Sequence, residues 1–336
     1  MKYRVKFINI VLIIVFLFVA AGNVLATETE KDKTLTKIPV ITPASIEYKL
    51  LGSLPSVPSN LPTYKVLPKD LKKVEKEGDA VANALAFDIQ KANKKSLDES
   101  GNKVQSLMLT DNAGKRLEYF STGAVFYRDS EFLSEKSADV LKSLNKDEAG
   151  AKDLFATLGD SFLKGNKLSI PGLERKGVSF ARAQAYDVNS KTVVEDKVTG
   201  AAVGYGVIVN QKNNIRGWGP GAKATIYYGA NKQVTGYYNA LRNLAVKDNK
   251  VAIQTPDQVV KKYMSYQEPK TLIKSATGEV KTILIDKVEL VYYLASGAEL
   301  QEEVKPNYLI QGRFVGTDDN GNTIETKFEW LEDAVL

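Results

Sequence analysis

Two four-residue stretches, Asn145-Lys146-Asp147-Glu148 and Thr255-Pro256-Asp257-Gln258, each open a run of residues with helical spacing of apolar side chains. Each begins with a polar residue and has Glu or Gln three positions later, which is the sequence signature of a capping box. In a capping box the two side chains satisfy backbone N–H groups that the first helical turn leaves without partners. The stretches therefore predict two helices, one over residues 146–163 and one over residues 256–266.

Strand-like runs follow both predicted helices, and they are rich in Tyr, Val and Ile with turn residues between them. The runs cover residues 178–188, 191–198, 202–209, 223–228 and 233–238 after the first helix, and residues 282–294, 308–316 and 322–330 after the second. The shared order of helix, strand, strand, strand predicts an α+β fold of tandem modules, each an antiparallel sheet packed by a helix. Two unrelated α+β segments that share only their capping chemistry are the alternative.

The N-terminus has the pattern of a secretory signal peptide. Lys2, Arg4 and Lys6 precede an almost entirely apolar run over residues 7–22, and small residues then lead to a cleavage position after Ala26. The apolar run is shorter than the roughly 20 residues that a membrane-spanning helix needs. We expect a signal peptide over residues 1–26 and a secreted or extracytoplasmic protein associated with the cell envelope. An uncleaved signal anchor is the alternative, and only then do we expect membrane attachment.

The rest of the chain divides by composition. Residues 27–68 hold six of the eleven prolines, and because proline removes a backbone donor, we expect a linker without regular elements there. Residues 69–140 show a helical pattern interrupted near residue 78 and then a hairpin, so they form an N-terminal helix and hairpin segment. The two predicted α+β modules then occupy residues 141–250 and 251–336.

Composition excludes several classes of function. The chain has no Cys and no His, which rules out disulfides, Ser-His-Asp and Cys-His catalysis, and metal sites with His or Cys ligands. The formal charge is +6 for the whole chain, and removal of the three basic residues of the signal peptide leaves 43 basic and 40 acidic residues, or +3. That small excess argues against a nucleic-acid partner. We predict no catalytic residue, no cofactor and no metal ion.

A family resemblance rests on the second half of the chain. The segment Thr255-Pro256-Asp257-Gln258-Val259-Val260 is followed by Val288-Glu289-Leu290-Val291-Tyr292-Tyr293-Leu294 and by Val304-Lys305-Pro306-Asn307-Tyr308-Leu309-Ile310-Gln311-Gly312. This layout resembles the PepSY-like group of exported domains, which includes propeptides of secreted metallopeptidases and extracytoplasmic accessory proteins of a histidine kinase. The segment Leu117-Glu118-Tyr119-Phe120-Ser121-Thr122-Gly123 also resembles a strand of such modules. The resemblance implies a helix over a small antiparallel sheet and a role in inhibiting, chaperoning or regulating a partner.

Aromatic residues are the candidate binding residues. Trp218 lies in the glycine-rich stretch Gly217-Trp218-Gly219-Pro220-Gly221, where an exposed ring could anchor a partner or a sugar; a ring that fills the core beneath the loop is the alternative. Adjacent tyrosines in strands place one ring on each face. We therefore select Tyr227, Tyr237 and Tyr292, one from each Tyr-Tyr pair, as candidates for a peptide or glycan platform. Cross-strand pairing of these rings is the alternative.

These observations favour an exported, non-enzymatic protein that binds or regulates a cell-envelope or secreted partner. The alternatives are an enzyme that uses carboxylates on wall glycans and a surface structural protein that assembles with itself. A pair of carboxylates about 5 to 10 Å apart in a cleft would favour the enzyme.

Overall fold

A computed structural model describes residues 46–98, 101, 103–132, 134, 137–187, 192–266, 279–317 and 321–336. The predicted signal peptide and the beginning of the predicted linker lie outside these residues, so both stay predictions. In the part of the chain that the structure describes, no helix combines the length and the apolar character needed to cross a bilayer.

The fold is α+β and mostly β. The helices are α1 (Leu71–Glu77), α2 (Ala80–Ala84), α3 (Val140–Leu144), α4 (Glu148–Gly165) and α5 (Pro256–Met264). The strands before α5 are β1 (Glu47–Leu50), β2 (Asn60–Val66), β3 (Asn93–Leu97), β4 (Ser106–Thr110), β5 (Arg116–Phe120), β6 (Val125–Arg128), β7 (Leu173–Asp187), β8 (Thr192–Asn210), β9 (Ile215–Trp218), β10 (Lys223–Tyr228), β11 (Val234–Asn239) and β12 (Leu244–Ala252). The strands after α5 are β13 (Glu279–Tyr293), β14 (Glu303–Val304), β15 (Pro306–Thr317) and β16 (Thr323–Asp333).

Strand β9 joins two half-sheets, because it pairs antiparallel with β8 and parallel with β13. The first half-sheet is antiparallel and has the order β7-β8-β10-β11-β6-β5-β4-β3. The second half-sheet has the order β13-β15-β16, and β1 adds to β13 in parallel. A separate sheet has the order β12-β2-β14. One path of strand pairing therefore runs across the predicted module boundary at residue 250.

The first predicted capping box is wrong in its details. Helix α4 begins at Glu148, and its N-cap is Asp147, whose carboxylate accepts a hydrogen bond from the backbone N–H of Gly150 at 2.8 Å. Asn145 instead ends the short helix α3 in the left-handed conformation, with φ of 49°. Asn tolerates that conformation and so stops a helix as readily as it starts one. The same stretch therefore ends one helix and begins the next.

The second predicted capping box is confirmed. The Thr255 hydroxyl accepts a hydrogen bond from the backbone N–H of Gln258 at 3.3 Å, and the Gln258 side chain accepts one from the backbone N–H of Thr255 at 2.7 Å. Pro256 occupies the first helical position, where its missing N–H has no cost. Helix α5 consequently begins where the sequence indicates.

Regular structure within residues 46–68 contradicts the prediction of a linker without elements. Strand β1 pairs with β13, and β2 lies between β12 and β14. The side chains of Leu61 and Tyr64 are buried, and Tyr64 contacts Tyr292 edge to face at 5.1 Å. Burial of these side chains outweighs the low strand propensity of a proline-rich segment.

The helices α4 and α5 cover what we call the inner face of the two half-sheets. Phe155 of α4 lies 5.5 Å from Tyr228, and Phe162 lies 5.8 Å from Tyr237. In the second half-sheet, Tyr263 of α5 stacks on Phe328 at 5.7 Å. One hydrophobic core contains buried residues from both half-sheets. The opposite side of the half-sheets is the outer face.

Local turn chemistry places most hairpins correctly. The turn sequence Asp111-Asn112-Ala113-Gly114 predicts a hairpin and joins β4 to β5, and Gly229-Ala230-Asn231-Lys232 likewise joins β10 to β11. The sequence Asp319-Asn320-Gly321 predicts a further hairpin turn, but most of these residues lie outside the described residues. The polar composition of residues 91–103 predicts a loop, whereas the structure has the edge strand β3 there.

Candidate binding surface

The outer face of the first half-sheet carries a row of aromatic rings. Side chains alternate between the faces of a strand, so when Tyr228 and Tyr237 pack against α4, their neighbours Tyr227 and Tyr238 must point outward. Both outward rings are partly exposed. We call the group formed by Phe120, Phe126, Phe132, Tyr227 and Tyr238 the aromatic strip; Phe120 is buried, and the other four rings are partly exposed.

Ring contacts hold the aromatic strip together. Phe126 stacks on Tyr238 at 4.4 Å between centroids and contacts Phe120 at 4.8 Å. Phe132 meets Tyr227 edge to face at 4.9 Å. The ring of Phe132 also lies 2.5 Å from the position that a Cβ would occupy at Gly236, so that glycine leaves room for it. Such contacts add to the apolar burial and fix the rings in place.

Strand register aligns two rings of the aromatic strip, Tyr238 and Phe126, across the sheet. Tyr238 lies directly opposite Thr225 on one side and Phe126 on the other. The same row continues through Gly204 beyond Thr225 and through Glu118 beyond Phe126. Residues that oppose one another in antiparallel strands share a face, so this row runs across the strands on the outer face.

Trp218 borders the aromatic strip at the junction of the half-sheets. Its ring is partly exposed and lies 5.9 Å from the ring of Tyr293. Next to it, a Cβ at Gly219 would lie 2.8 Å from the Tyr293 ring, and the Gly219 φ of 103° also favours glycine. The Tyr238 hydroxyl donates to the Pro220 carbonyl at 3.3 Å. The loop that carries Trp218 is therefore fixed against both Tyr293 and Tyr238.

The choice of Tyr237 and Tyr292 as accessible rings is wrong. Tyr237 is 1% exposed and packs under α4, and Tyr292 is 0% exposed. The Tyr292 hydroxyl donates to the Pro62 carbonyl at 2.8 Å. In each pair the neighbour, Tyr238 or Tyr293, is the partly exposed ring. Sequence alternation shows that the two rings of a pair face opposite ways, but not which one the helices cover.

Cations without a carboxylate partner lie on the same outer face. Lys223 is partly buried, and this burial lowers its pKa. Arg128 is exposed next to Gly236 in the strand register. Within the described residues, neither side chain lies within ion-pair distance of an acid. By contrast, Arg116 pairs with Glu118 at 2.7 Å. The face therefore offers two cations that an anionic ligand could neutralise.

A buried arginine, which the sequence analysis missed, fixes the loop between β13 and β14. Arg242 is 4% exposed, and burial lowers its pKa to about 10. Its guanidinium donates to the carbonyls of Ala295, Ser296 and Glu299 at 3.2, 2.5 and 2.9 Å. The Thr122 hydroxyl also donates to the Gly297 carbonyl at 2.6 Å. These bonds tie a loop of the second half-sheet to the first half-sheet, beside Phe126 and Phe120.

The carboxyl group of Asp129 combines a raised pKa with a turn hydrogen bond. Burial raises the pKa of Asp129, but its carboxylate accepts a hydrogen bond from the backbone N–H of Glu131 at 2.8 Å, as in an ordinary turn. Across the described residues, no group of three or more acidic side chains is placed to hold a metal ion.

Comparisons with known proteins give little further guidance. No protein-family model matches the chain, and no curated protein matches it. A crystal structure of an uncharacterized protein from Eubacterium rectale ATCC 33656 is similar with a TM-score of 0.45 and 11% identity. The similarity covers 86% of this chain and 88% of that chain. It carries no argument about function, so the proposals below rest on the residues themselves.

Proposed function

We propose that this chain is an exported, non-enzymatic protein that binds a cell-envelope or secreted partner through the aromatic strip and Trp218. The observation that carries the proposal is a set of partly exposed rings on the sheet face opposite the helices. Clustered aromatic rings at a surface are typical of interaction sites, and Trp and Tyr are prominent among residues that dominate binding energy. Neighbouring unpaired cations give the surface a preference for an anionic partner.

The proposal includes a finer interpretation of the fold as two tandem helix-on-sheet modules of the PepSY-like kind. In its support, α4 precedes the hairpin of β7 and β8, and α5 precedes β13, β15 and β16. Each helix packs on the inner face of the strands that follow it. The resemblance to such modules implies a role in inhibiting, chaperoning or regulating a partner, which agrees with a binding role.

Self-assembly through edge strands is the less favoured alternative. Both ends of the strand order carry charged side chains, Lys94 and Lys95 in β3 and Glu325 and Lys327 in β16. Charges on edge strands oppose pairing with another sheet. The binding proposal therefore agrees better with the distribution of charge.

Sedimentation with isolated cell envelopes tests the proposed function. We expect the purified protein to sediment with the envelopes, and Trp218→Ala to weaken this by about 2 kcal/mol, or roughly 30-fold. Trp330→Ala, which truncates the other tryptophan on β16, is the matched control and should bind as the wild type does. Equal binding by Trp218→Ala and wild type at equal folded fraction, checked by circular dichroism, would contradict the proposal.

A further inference from the structure

A floor of small residues extends from the aromatic strip toward the edge strand β7. Gly177, Gly204 and Thr225 oppose one another in register, and Tyr238 follows Thr225. A Cβ added at Gly204 would meet only the Gly177 carbonyl oxygen, at 3.9 Å, among the described residues. The backbone of Gly204 has no positive φ, so its conformation does not require glycine. What glycine provides at this position is open space over the sheet.

The row that contains this floor is long. It runs from Gly177 on β7 through Tyr238 and Phe126 to Lys95 on β3. At about 4.8 Å between neighbouring strands, it spans about 34 Å. A surface of this length, with rings in its centre, fits an extended polymer better than a small molecule.

The charges along the row favour an anionic polymer. Lys223 lies two residues from Thr225 on the same face, Arg128 lies beside the rings, and Lys95 lies at the far end. None of the three has a carboxylate within ion-pair distance in the described part of the chain. Two acids on this face pair with cations, Glu118 with Arg116 at 2.7 Å and Glu174 with Lys176 at 3.0 Å, whereas Glu299 contributes a negative charge near Tyr238. Charge complementarity therefore points to acidic groups repeated along the ligand.

The backbone of this surface disfavours a peptide strand as the occupant. Between the edge strands β7 and β3, the strands under the row pair with neighbours on both sides, as β10 does with β8 and β11. An extended peptide gains affinity mainly from main-chain hydrogen bonds at an open sheet edge. Over a paired face, recognition must come from side chains. Stacking on rings and hydrogen bonds from Lys and Arg side chains suit a saccharide.

We propose that this row binds a linear acidic polysaccharide, with a sugar ring over Gly204 beside Tyr238 and an acidic group on Lys223. This inference rests on the proposed function, because it names the chemistry of the partner at the same surface. An anion on the ammonium group of Lys223 would offset part of the cost of its partial burial. Arg128 and Lys95 contact further acidic groups along the polymer.

Calorimetric titration of the purified protein with polygalacturonate tests the inference. We expect Gly204→Leu to weaken binding about tenfold or more, because the added side chain occupies the floor, where a Cβ has only the Gly177 carbonyl oxygen near it among the described residues. Gly165→Leu is its matched control, since a Cβ there meets no described atom within 4 Å outside its own helix and lies at the end of α4. We expect Lys223→Gln to weaken binding about tenfold, the loss of one charge-assisted hydrogen bond. Lys65→Gln, at an exposed lysine of β2, should bind as the wild type does.

Two further ligands separate the possible outcomes. Neutral dextran should not bind, and poly-L-glutamate should bind at least about tenfold more weakly than polygalacturonate. Equal or tighter binding of poly-L-glutamate, with the same loss in Gly204→Leu, would replace the polysaccharide with an acidic peptide. No binding of polygalacturonate by the wild type, or binding that both variants retain, would overturn the inference. If Trp218-dependent binding to envelopes persists in that case, the proposed function stands and only the ligand class fails.

Discussion

The outer faces of the two half-sheets differ in how their charges are arranged. In the second half-sheet charged side chains pair with one another. Arg216 donates two hydrogen bonds to the Glu289 carboxylate, at 2.7 and 3.0 Å. Arg313 forms ion pairs with both Asp286 and Glu325. In the first half-sheet the outer face carries partly exposed rings and cations without acidic partners. The inner faces, in contrast, are built alike, with a helix and stacked or tilted rings over the strands.

This difference between the two outer faces indicates which half-sheet is the better candidate for a binding surface. Paired charges satisfy each other and leave little for a ligand to gain, and exposed ion pairs add little stability. Partly exposed rings and unpaired cations can still form stacking contacts and ion pairs with a ligand. The first half-sheet is therefore the better candidate for a binding surface, and the second for a support that positions Tyr293 and the loop held by Arg242.

The largest effect should come from the inner faces, where we expect the half-sheets to respond alike. Phe155→Ala and Phe328→Ala each remove a ring from a fully buried position. Each should lower the free energy of unfolding by about 3–5 kcal/mol, because truncation leaves a cavity as well as losing apolar burial. Urea denaturation followed by circular dichroism measures the change, with Leu336→Ala, at a residue 75% exposed, as the control. A loss in only one variant would show that the halves do not share one core.

A smaller effect on stability, dependent on pH, should distinguish the carboxylate that contacts α5 in the second half-sheet from the carboxylate on α4 in the first. Glu332 is 6% exposed, and although burial opposes its ionisation, hydrogen bonds from Lys262, Trp330 and Tyr266 hold its pKa below the usual range. A lowered folded-state pKa stabilises the fold above the unfolded pKa of about 4.3, and this stability is lost as the pH falls through the folded pKa. Glu332→Gln should cost about 1.5–3 kcal/mol at pH 7 and progressively less below pH 4.

The control for this measurement is Asp160→Asn on α4. Asp160 accepts a hydrogen bond from Tyr205 at 3.0 Å and pairs with Arg175, but its side chain is 54% exposed. We expect its substitution to change the thermal midpoint much less than Glu332→Gln does at pH 7. A gap between Glu332→Gln and wild type that does not narrow in acid would contradict the assigned ionisation of Glu332.

The smallest effect should come from two buried tyrosine hydroxyls. The Tyr292 hydroxyl donates to the Pro62 carbonyl at 2.8 Å, whereas the Tyr228 hydroxyl has no hydrogen-bond partner among the described residues. Tyr292→Phe should therefore cost about 1 kcal/mol, and Tyr228→Phe should be nearly neutral. Chemical denaturation of both variants measures the difference. Equal costs would indicate that Tyr228 has an unrecognised partner or that the bond to Pro62 contributes nothing.

Local chemistry made part of this fold predictable. The capping box at Thr255 fixes the start of α5, and the turn residues at 111–114 fix the hairpin of β4 and β5, because the interacting groups are within a few residues of one another. Elsewhere the prediction failed, because a strand forms by pairing with strands that are far apart from it in the sequence. The strand β2 forms although it contains Pro62, since Leu61 and Tyr64 reach a core built from distant strands.

The residues of the candidate binding surface also fall into two groups, those that the sequence could identify and those that it could not. Trp218 and Tyr227 could be selected from the sequence because a ring in a glycine-rich loop or a strand pair is visible there. Lys223, Arg128 and Gly204 could not, because their importance depends on which residues oppose them across strands far apart in the sequence.

The sequence by itself determined where α5 begins, where the turn between β4 and β5 lies, and that each Tyr-Tyr pair places its rings on opposite faces. These are properties of short segments, set by backbone geometry and side-chain alternation. Only the tertiary structure decided which face the helices cover, and hence that Tyr238 and Tyr293 are partly exposed while Tyr237 and Tyr292 are buried. That choice belongs to packing between elements far apart in the chain, where burial of apolar area favours one face over the other.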